Sequence, residues 1–216
     1  MSTHKRFWDN PYQTHLETQV ATVDGDTVSL AETIFYAFSG GQESDAGQIG
    51  GHPVLEARKE GFDILYRLPS GHNLRAGDPV SVDIEWPRRL ALMRLHFAAE
   101  LILELVYRKF PGIEKLGAHI ASGKARIDFK APEVLTPHLP ALQADAMAII
   151  DADREIRCAF SDETRQRRYW EIDGFARVPC GGTHLRRTGE VGCIALKRKN
   201  VGKGIERIEI SLDDPR

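Results

Sequence analysis

The stretch PRRLALMRLHFAAELILELVYRKF, residues 87–110, decides how the chain is organised. Good helix formers fill it and no glycine interrupts it before Gly112. Proline at the first helical position and Pro111-Gly112 beyond the end mark its limits. The spacing predicts one long helix. What precedes it has another rhythm: THLETQVATV (14–23) and TVSLAETIFY (27–36) flank Asp24-Gly25-Asp26, a hairpin signal. DILYRL (63–68), a turn at Pro69-Ser70-Gly71 and PVSVDIEW (79–86) follow, with Val80, Val82 and Ile84 alternating with Ser81, Asp83 and Glu85. Short strands at this spacing predict a small β-barrel over residues 1–87.

After the helix, ARIDF (125–129) alternates as a strand, and a second helix is expected after Pro140 through LQADAMAIIDADREI (142–156). Strands resume with WEIDGFARV (170–178), CIALKRK (193–199) and RIEISL (207–212), the last two joined by a turn at 200–204. A long helix, then strand, helix and antiparallel strands indicates an α+β fold with an α/β-layer domain over residues 88–216.

Composition bounds the function classes. Apolar residues at 42% supply a core, and 28% charge argues against a disordered chain. The net charge of −2 is bland, but Arg154 to Arg207 holds 13 Lys/Arg against 7 Asp/Glu, a local excess that would favour a phosphate backbone or simply a solvated face. Three cysteines, Cys158, Cys180 and Cys193, do not make a disulfide framework, and Cys158 and Cys193 read as small buried apolar residues. The polar N-terminus lacks a signal-peptide core, and no apolar run approaches the roughly 18 residues that span a bilayer. The expectation is a reduced, soluble, cytoplasmic protein with no membrane partner.

Two residue pairs carry candidate metal chemistry. On a helix, His96 and Glu100 lie four apart on one face. Cys180-Gly-Gly-Thr-His184 repeats that interval in a glycine-softened turn. Imidazole, carboxylate and thiolate are ordinary zinc ligands, and a tetrahedral site needs four groups or three plus water. His-x-x-x-Glu alone also reads as a salt-bridged surface pair, so neither motif is specific by itself.

Together with three further stretches, these residues resemble the stand-alone alanyl-tRNA editing proteins, relatives of the editing domain of alanyl-tRNA synthetase. The resemblance rests on Phe7-Trp8-Asp9-Asn10-Pro11-Tyr12, FYAFSGGQESDAGQIG (35–50), WPRRLALMRLH (86–96), LGAHIASGKARIDF (116–129) and CGGTHLRRTGEVG (180–192), in that order along nearly the whole chain. It implies hydrolysis, in trans, of the ester joining serine or glycine to alanine-specific tRNA, with one Zn2+ held by His96, Glu100, Cys180 and His184. It further makes Gln42 and Asp45 candidates for catalysis by positioning substrate, and Gly40, Gly41, Ala118, His119 and Thr183 candidate substrate contacts. Zinc could activate the water or fix the amino acid's amino group. Lys124, Arg126, Arg186 and Arg187 are candidate phosphate contacts, each of which also reads as a solubilising charge. No nucleotide-binding motif appears, so no use of ATP is expected.

Two stretches depart from the family's pattern. The first zinc motif usually reads His-Thr-Ala-Thr-His, and here it is His96-Phe97-Ala98-Ala99-Glu100. A carboxylate can still ligate, but with thiolate it cancels the ion's charge and makes a weaker Lewis acid; otherwise Glu100 turns away and acts as a general base. Ala118 stands where the family carries a hydroxyl implicated in recognising serine, and His119 beside it is a possible substitute. A different metallohydrolase, or a non-catalytic metal-containing relative that binds tRNA, remain as alternative readings.

Overall fold

The computed structural model describes residues 2–131, 133–202 and 204–213. They form an α+β architecture, mostly sheet, with one long helix and one of middling length. The chain divides into two compact units, residues 1–39 with 43–90 and residues 40–42 with 91–216. Among the described residues no helix is long and apolar enough to cross a membrane.

The first unit is built on seven strands: β1 (His15–Asp24), β2 (Thr27–Leu30), β3 (Gly47–Ile49), β4 (His52–Pro53), β5 (Glu56–Glu60), β6 (Asp63–Arg67) and β7 (Pro79–Ile84). They pair in the order β4-β3-β7-β1-β2-β6-β5, every ladder antiparallel. No ladder among the described residues joins β5 to β4, so the expected barrel is seen as a seven-stranded sheet with two edges. The hairpin at Asp24 is there: Asp24 pairs with Thr27, and Gly25 takes a φ of 57° that only glycine adopts cheaply. The run from Thr27 stops as a ladder strand at Leu30, and Glu32–Thr33 pairs instead with His4–Lys5. Val28, Leu30, Ile34, Phe35, Tyr66 and Val82 fill the core. The Tyr66 hydroxyl, which burial keeps protonated, donates to the Phe35 carbonyl at 3.0 Å and lies 2.7 Å from Thr33 Oγ1.

Lys5 is an unusual member of this unit. It is only 5% exposed, with Nζ donating to the Phe62 carbonyl at 2.6 Å and lying 5.1 Å from the Trp8 ring. Burial, and then the charge of Lys59, lower its amine to about 8, against a pull from Asp63. A base whose folded pKa falls below its unfolded value leaves the unfolded chain holding more protons in the interval between them, so its contribution makes stability rise with pH there. Lys5→Met is expected to flatten that rise, read from urea midpoints of both proteins at about pH 7.5 and about pH 9.5. Equal slopes would show that the Lys5 amine stays hydrated.

The long helix, α1, runs Trp86–Lys109 with Arg108 and Lys109 in its last turn, and Gly112 at a φ of 84° lies beyond its end. From Leu92 to Ile102 every residue except Arg94 and Glu100 is buried, which makes this stretch the centre of the second unit. Around it lie β8 (Glu114–Ile120), β9 (Ala125–Lys130), α2 (Leu139–Asp151), β10 (Arg157–Asp162), β11 (Arg167–Ile172), β12 (Ala176–Pro179), β13 (Ile194–Gly202) and β14 (Ile205–Leu212). Two antiparallel sheets result, ordered β8-β9-β14-β13 and β10-β11-β12. The inward residues Ala125, Ile127, Phe129, Ile208 and Ile210 are all buried.

Two expectations are corrected here. The second helix stops at Asp151 rather than Ile156, because Asp153 adopts a φ of 44° and the chain turns into β10. WEIDGFARV is not one strand: it folds back at Asp173-Gly174, with Ile172 paired to Ala176 and Gly174 at a φ of 65°.

Candidate metal centre

His96 and Glu100 share a face of α1, and β12 delivers Cys180 and His184 to the same place. One donor atom from each of the four residues lies within 4.8 Å of the others. His96 Nε2 is 3.2 Å from Cys180 Sγ and 3.4 Å from Glu100 Oε1, while His184 Nε2 is 3.2 Å from Glu100 Oε2. Each carboxylate oxygen therefore faces a different imidazole. Both histidines are buried, His96 on the apolar stretch of α1 and His184 in the turn after β12, where unmatched polar groups would be costly.

The electrostatics suit a cation. Burial alone would raise Glu100, but His96 and His184 beside it hold its carboxyl well below the usual carboxylate range. Burial, and then Glu100, push the Cys180 thiol well above its ordinary value despite the Gly182 N–H directed at its sulfur. Burial also lowers His184, against the pull of Glu100, which favours a neutral imidazole. Two imidazoles, a carboxylate held ionised and a thiol that a bound cation would ionise make a donor set for a metal ion such as zinc. The residues fit such an ion.

The turn carrying Cys180 and His184 is tightly braced. A side chain on Gly182 would begin 2.3 Å from His96 Cε1 and 2.9 Å from Gln42 Oε1, so the backbone passes directly against the imidazole. Gln42 is fully buried, and its amide donates to Thr183 Oγ1 at 2.9 Å. The preceding glycines explain how Gln42 arrives: Gly41 sits at a φ of 90°, where a Cβ would meet the Ala118 carbonyl at 2.6 Å, and its own carbonyl accepts from Ile120 N–H at 2.7 Å. Downstream, Thr188 donates to the Ile149 carbonyl and accepts from Arg154 N–H, both at 2.8 Å, and Glu190 accepts from the N–H groups of Arg186 and Arg187. Thr-Gly-Glu thus ties the turn to the end of α2.

Of the residues expected at the site, Gly40, Gly41, Gln42, Ala118, His119, Thr183 and the four metal candidates belong to the second unit. Asp45 belongs to the first and is occupied there. Its carboxylate accepts from Arg89 Nε at 2.8 Å, from Arg89 Nη2 at 2.5 Å and from Tyr36 N–H at 2.7 Å, in a pair with no side-chain exposure. Gln42, likewise, is spent on Thr183. Three candidate phosphate contacts are already in ion pairs: Lys124 with Glu209, Arg126 with Asp128, and Arg187 with Asp153. Cys158 and Cys193 are exposed rather than buried. Cys158 is exposed as a residue even though desolvation of its thiol, the largest influence on it, pushes it up to about 11.

The wall beside the cluster carries little sequence signal. Phe97 meets Trp170 edge-on at 5.1 Å and His184 at 6.2 Å, and Trp170 Nε1 is buried with no hydrogen-bond partner among the described residues. Arg168, only 8% exposed, stacks on Phe160 at 4.7 Å. The alternation of WEID gave a signal for Trp170 as an inward residue; nothing local marked Arg168.

Comparison with known proteins agrees with this geometry. Residues 170–209, which hold Cys180 and His184, match the family described as threonyl and alanyl tRNA synthetase second additional domain. Alanyl-tRNA editing protein AlaX-M of Pyrococcus horikoshii is 31% identical over 216 residues, covering 98% of this chain and 98% of that protein. The AlaX-M of Saccharolobus solfataricus is 30% identical, covering 95% and 97%. Alanine–tRNA ligase of Methanococcus vannielii is 28% identical over 97% of this chain, which spans only 26% of that enzyme. On its length-wide match to the editing proteins, the chain belongs to the alanyl-tRNA editing protein family.

Proposed function

We propose that the chain is a zinc-dependent deacylase that hydrolyses, in trans, the ester of serine or glycine mischarged on alanine-specific tRNA. The observation that carries this reading is the convergence of His96, Glu100, Cys180 and His184 in a chain matched end to end by proteins named for alanyl-tRNA editing. A bound zinc ion would supply Lewis-acid polarisation and a lowered pKa for water. His96 and His184 would hold it through Nε2, Cys180 through sulfur and Glu100 through a carboxylate oxygen. Phe97 and Trp170 keep the adjoining wall dry, which strengthens every charge interaction beside it. Gln42 acts by fixing the Gly182–Thr183 turn rather than by touching substrate, and Asp45 serves the first unit as an ion-pair partner. Ligation by Glu100 is favoured over a general-base role because each of its oxygens already faces one of the two imidazoles.

The test combines metal content with turnover. Wild type is expected to retain about one zinc per chain through gel filtration and to release serine or glycine from mischarged tRNA faster than spontaneous hydrolysis. Glu100→Ala is expected to weaken zinc retention by about 10-fold or more, and Glu100→His to preserve or strengthen it. Full retention in the Ala variant would remove Glu100 from the ligand set. Zinc-loaded wild type without deacylation would sink the proposed activity.

A further inference from the structure

In the sheet β10-β11-β12, Phe160 is paired with Arg168, and Cys180 N–H donates to the Arg168 carbonyl at 2.9 Å, continuing the register in which Tyr169 faces Pro179. Phe160, Arg168 and Cys180 therefore form one cross-strand row on one face, the arrangement that brings Cβ atoms about 4.5–5.5 Å apart. The guanidinium lies over the Phe160 ring, and the residue as a whole is 8% exposed. A cation has thus been carried into the wall beside the four donors.

We propose that Arg168 is a catalytic residue that binds the carbonyl oxygen of the ester as it becomes an oxyanion. This rests on the deacylase reading above. With zinc bound, Glu100 and a Cys180 thiolate would bring two negative charges to the donor set, which would leave little net positive charge there to meet another anion. A guanidinium one strand away supplies it, with planar donors suited to an oxygen and with weaker hydration than an ammonium. In the reaction, water oxygen forms a bond to the carbonyl carbon as the carbonyl electron pair moves onto its oxygen. That pair then returns, the bond to the ribose oxygen breaks, and a proton from the water ends on the ribose hydroxyl. Arg168 donates hydrogen bonds throughout and forms no covalent bond. Such donors are worth most in a site shielded from water.

The test compares binding of two non-hydrolysable analogues to the zinc-loaded full chain by calorimetry. One is a seryl-adenosine phosphonate, whose charged oxygen mimics the oxyanion; the other is the neutral seryl-adenosine amide. Wild type is expected to prefer the phosphonate, and Arg168→Met to lose that preference by about 100-fold at equal zinc content and unchanged melting. In parallel, deacylation by Arg168→Met should show kcat lowered by a similar factor with KM little changed. An unchanged phosphonate-to-amide ratio in Arg168→Met, or no preference in wild type, overturns the proposal. If Arg168→Met does not fold, Arg168→Lys is read instead: losing the planar fork should cut the preference about 10-fold, and an unchanged ratio overturns the proposal. Wild type that prefers the phosphonate yet leaves mischarged tRNA intact would instead reject the substrate assignment.

Discussion

Gly182→Ala is expected to lower zinc affinity by about 10- to 100-fold and to abolish most deacylation. The substitution adds one methyl group at a backbone angle any residue can adopt, so no backbone strain enters. What it meets is decisive. The new carbon would start 2.3 Å from His96 Cε1, 3.0 Å from His96 Nδ1 and 2.9 Å from Gln42 Oε1. His96 cannot swing away cheaply, because its helix neighbours Leu95, Phe97, Ala98 and Ala99 are buried and the ring is 5.1 Å from that of His184. Either the imidazole leaves the other donors or the turn lifts, taking Cys180 and His184 with it. Both outcomes spread the four donors apart. Gly123→Ala is the matched control: nothing lies within 4 Å of its Cβ, and it should behave as wild type. Affinity is measured by competition with a chromophoric chelator. Wild-type affinity in Gly182→Ala would mean that the turn is soft and that the bracing by Gln42 and Thr183 has little to do with the metal.

Each pair was marked in the chain by a local rule, helical spacing for His96 and Glu100 and a glycine turn between thiol and imidazole for Cys180 and His184, but only the resemblance to the editing proteins joined them into one set. What made the donors a site was not legible. Gly182 looked like a turn residue, and only the approach of α1, more than eighty residues away in sequence, gives it a reason to lack a side chain. Asp45 shows the same dependence on distant residues. An aspartate in a glycine-rich stretch resembles a substrate contact until Arg89, distant in the chain, is seen to occupy it. At the level of the fold, the long helix and the hairpin at Asp24 carry strong local signals. β5 carries almost none: Glu-Ala-Arg-Lys-Glu offers a single inward residue, Ala57, so its ladder with β6 is decided by neighbours. Asp173-Gly174 was a turn signal set inside a run whose apolar alternation outweighed it, and the ladder partners on both sides settle the matter.

Arg89→Met is expected to destabilise the first unit by about 3–5 kcal/mol, with the double variant Arg89→Met/Asp45→Leu recovering only part of the loss. The single change leaves a carboxylate with no side-chain exposure and removes both of its guanidinium contacts. For an ordinary buried pair, replacing both members by apolar residues can be neutral, since the cost of desolvating two charges vanishes with them. This pair does more. Arg89 also donates to the Ile34 carbonyl at 2.6 Å and to the Pro11 carbonyl at 2.8 Å, and Asp45 accepts from Tyr36 N–H. Removing both side chains therefore strands three backbone groups in two segments, at Pro11 and at residues 34–36, at about 1–3 kcal/mol for each one left unsatisfied. The same contacts account for the placement of an arginine on the inner face of α1, since lysine could not reach three acceptors in one plane. Urea unfolding followed at a probe in the first unit gives the single, double and Asp45→Leu values, and the cycle isolates the coupling. Full recovery in the double variant would show that water reaches the stranded carbonyls and that the pair is only an ion pair.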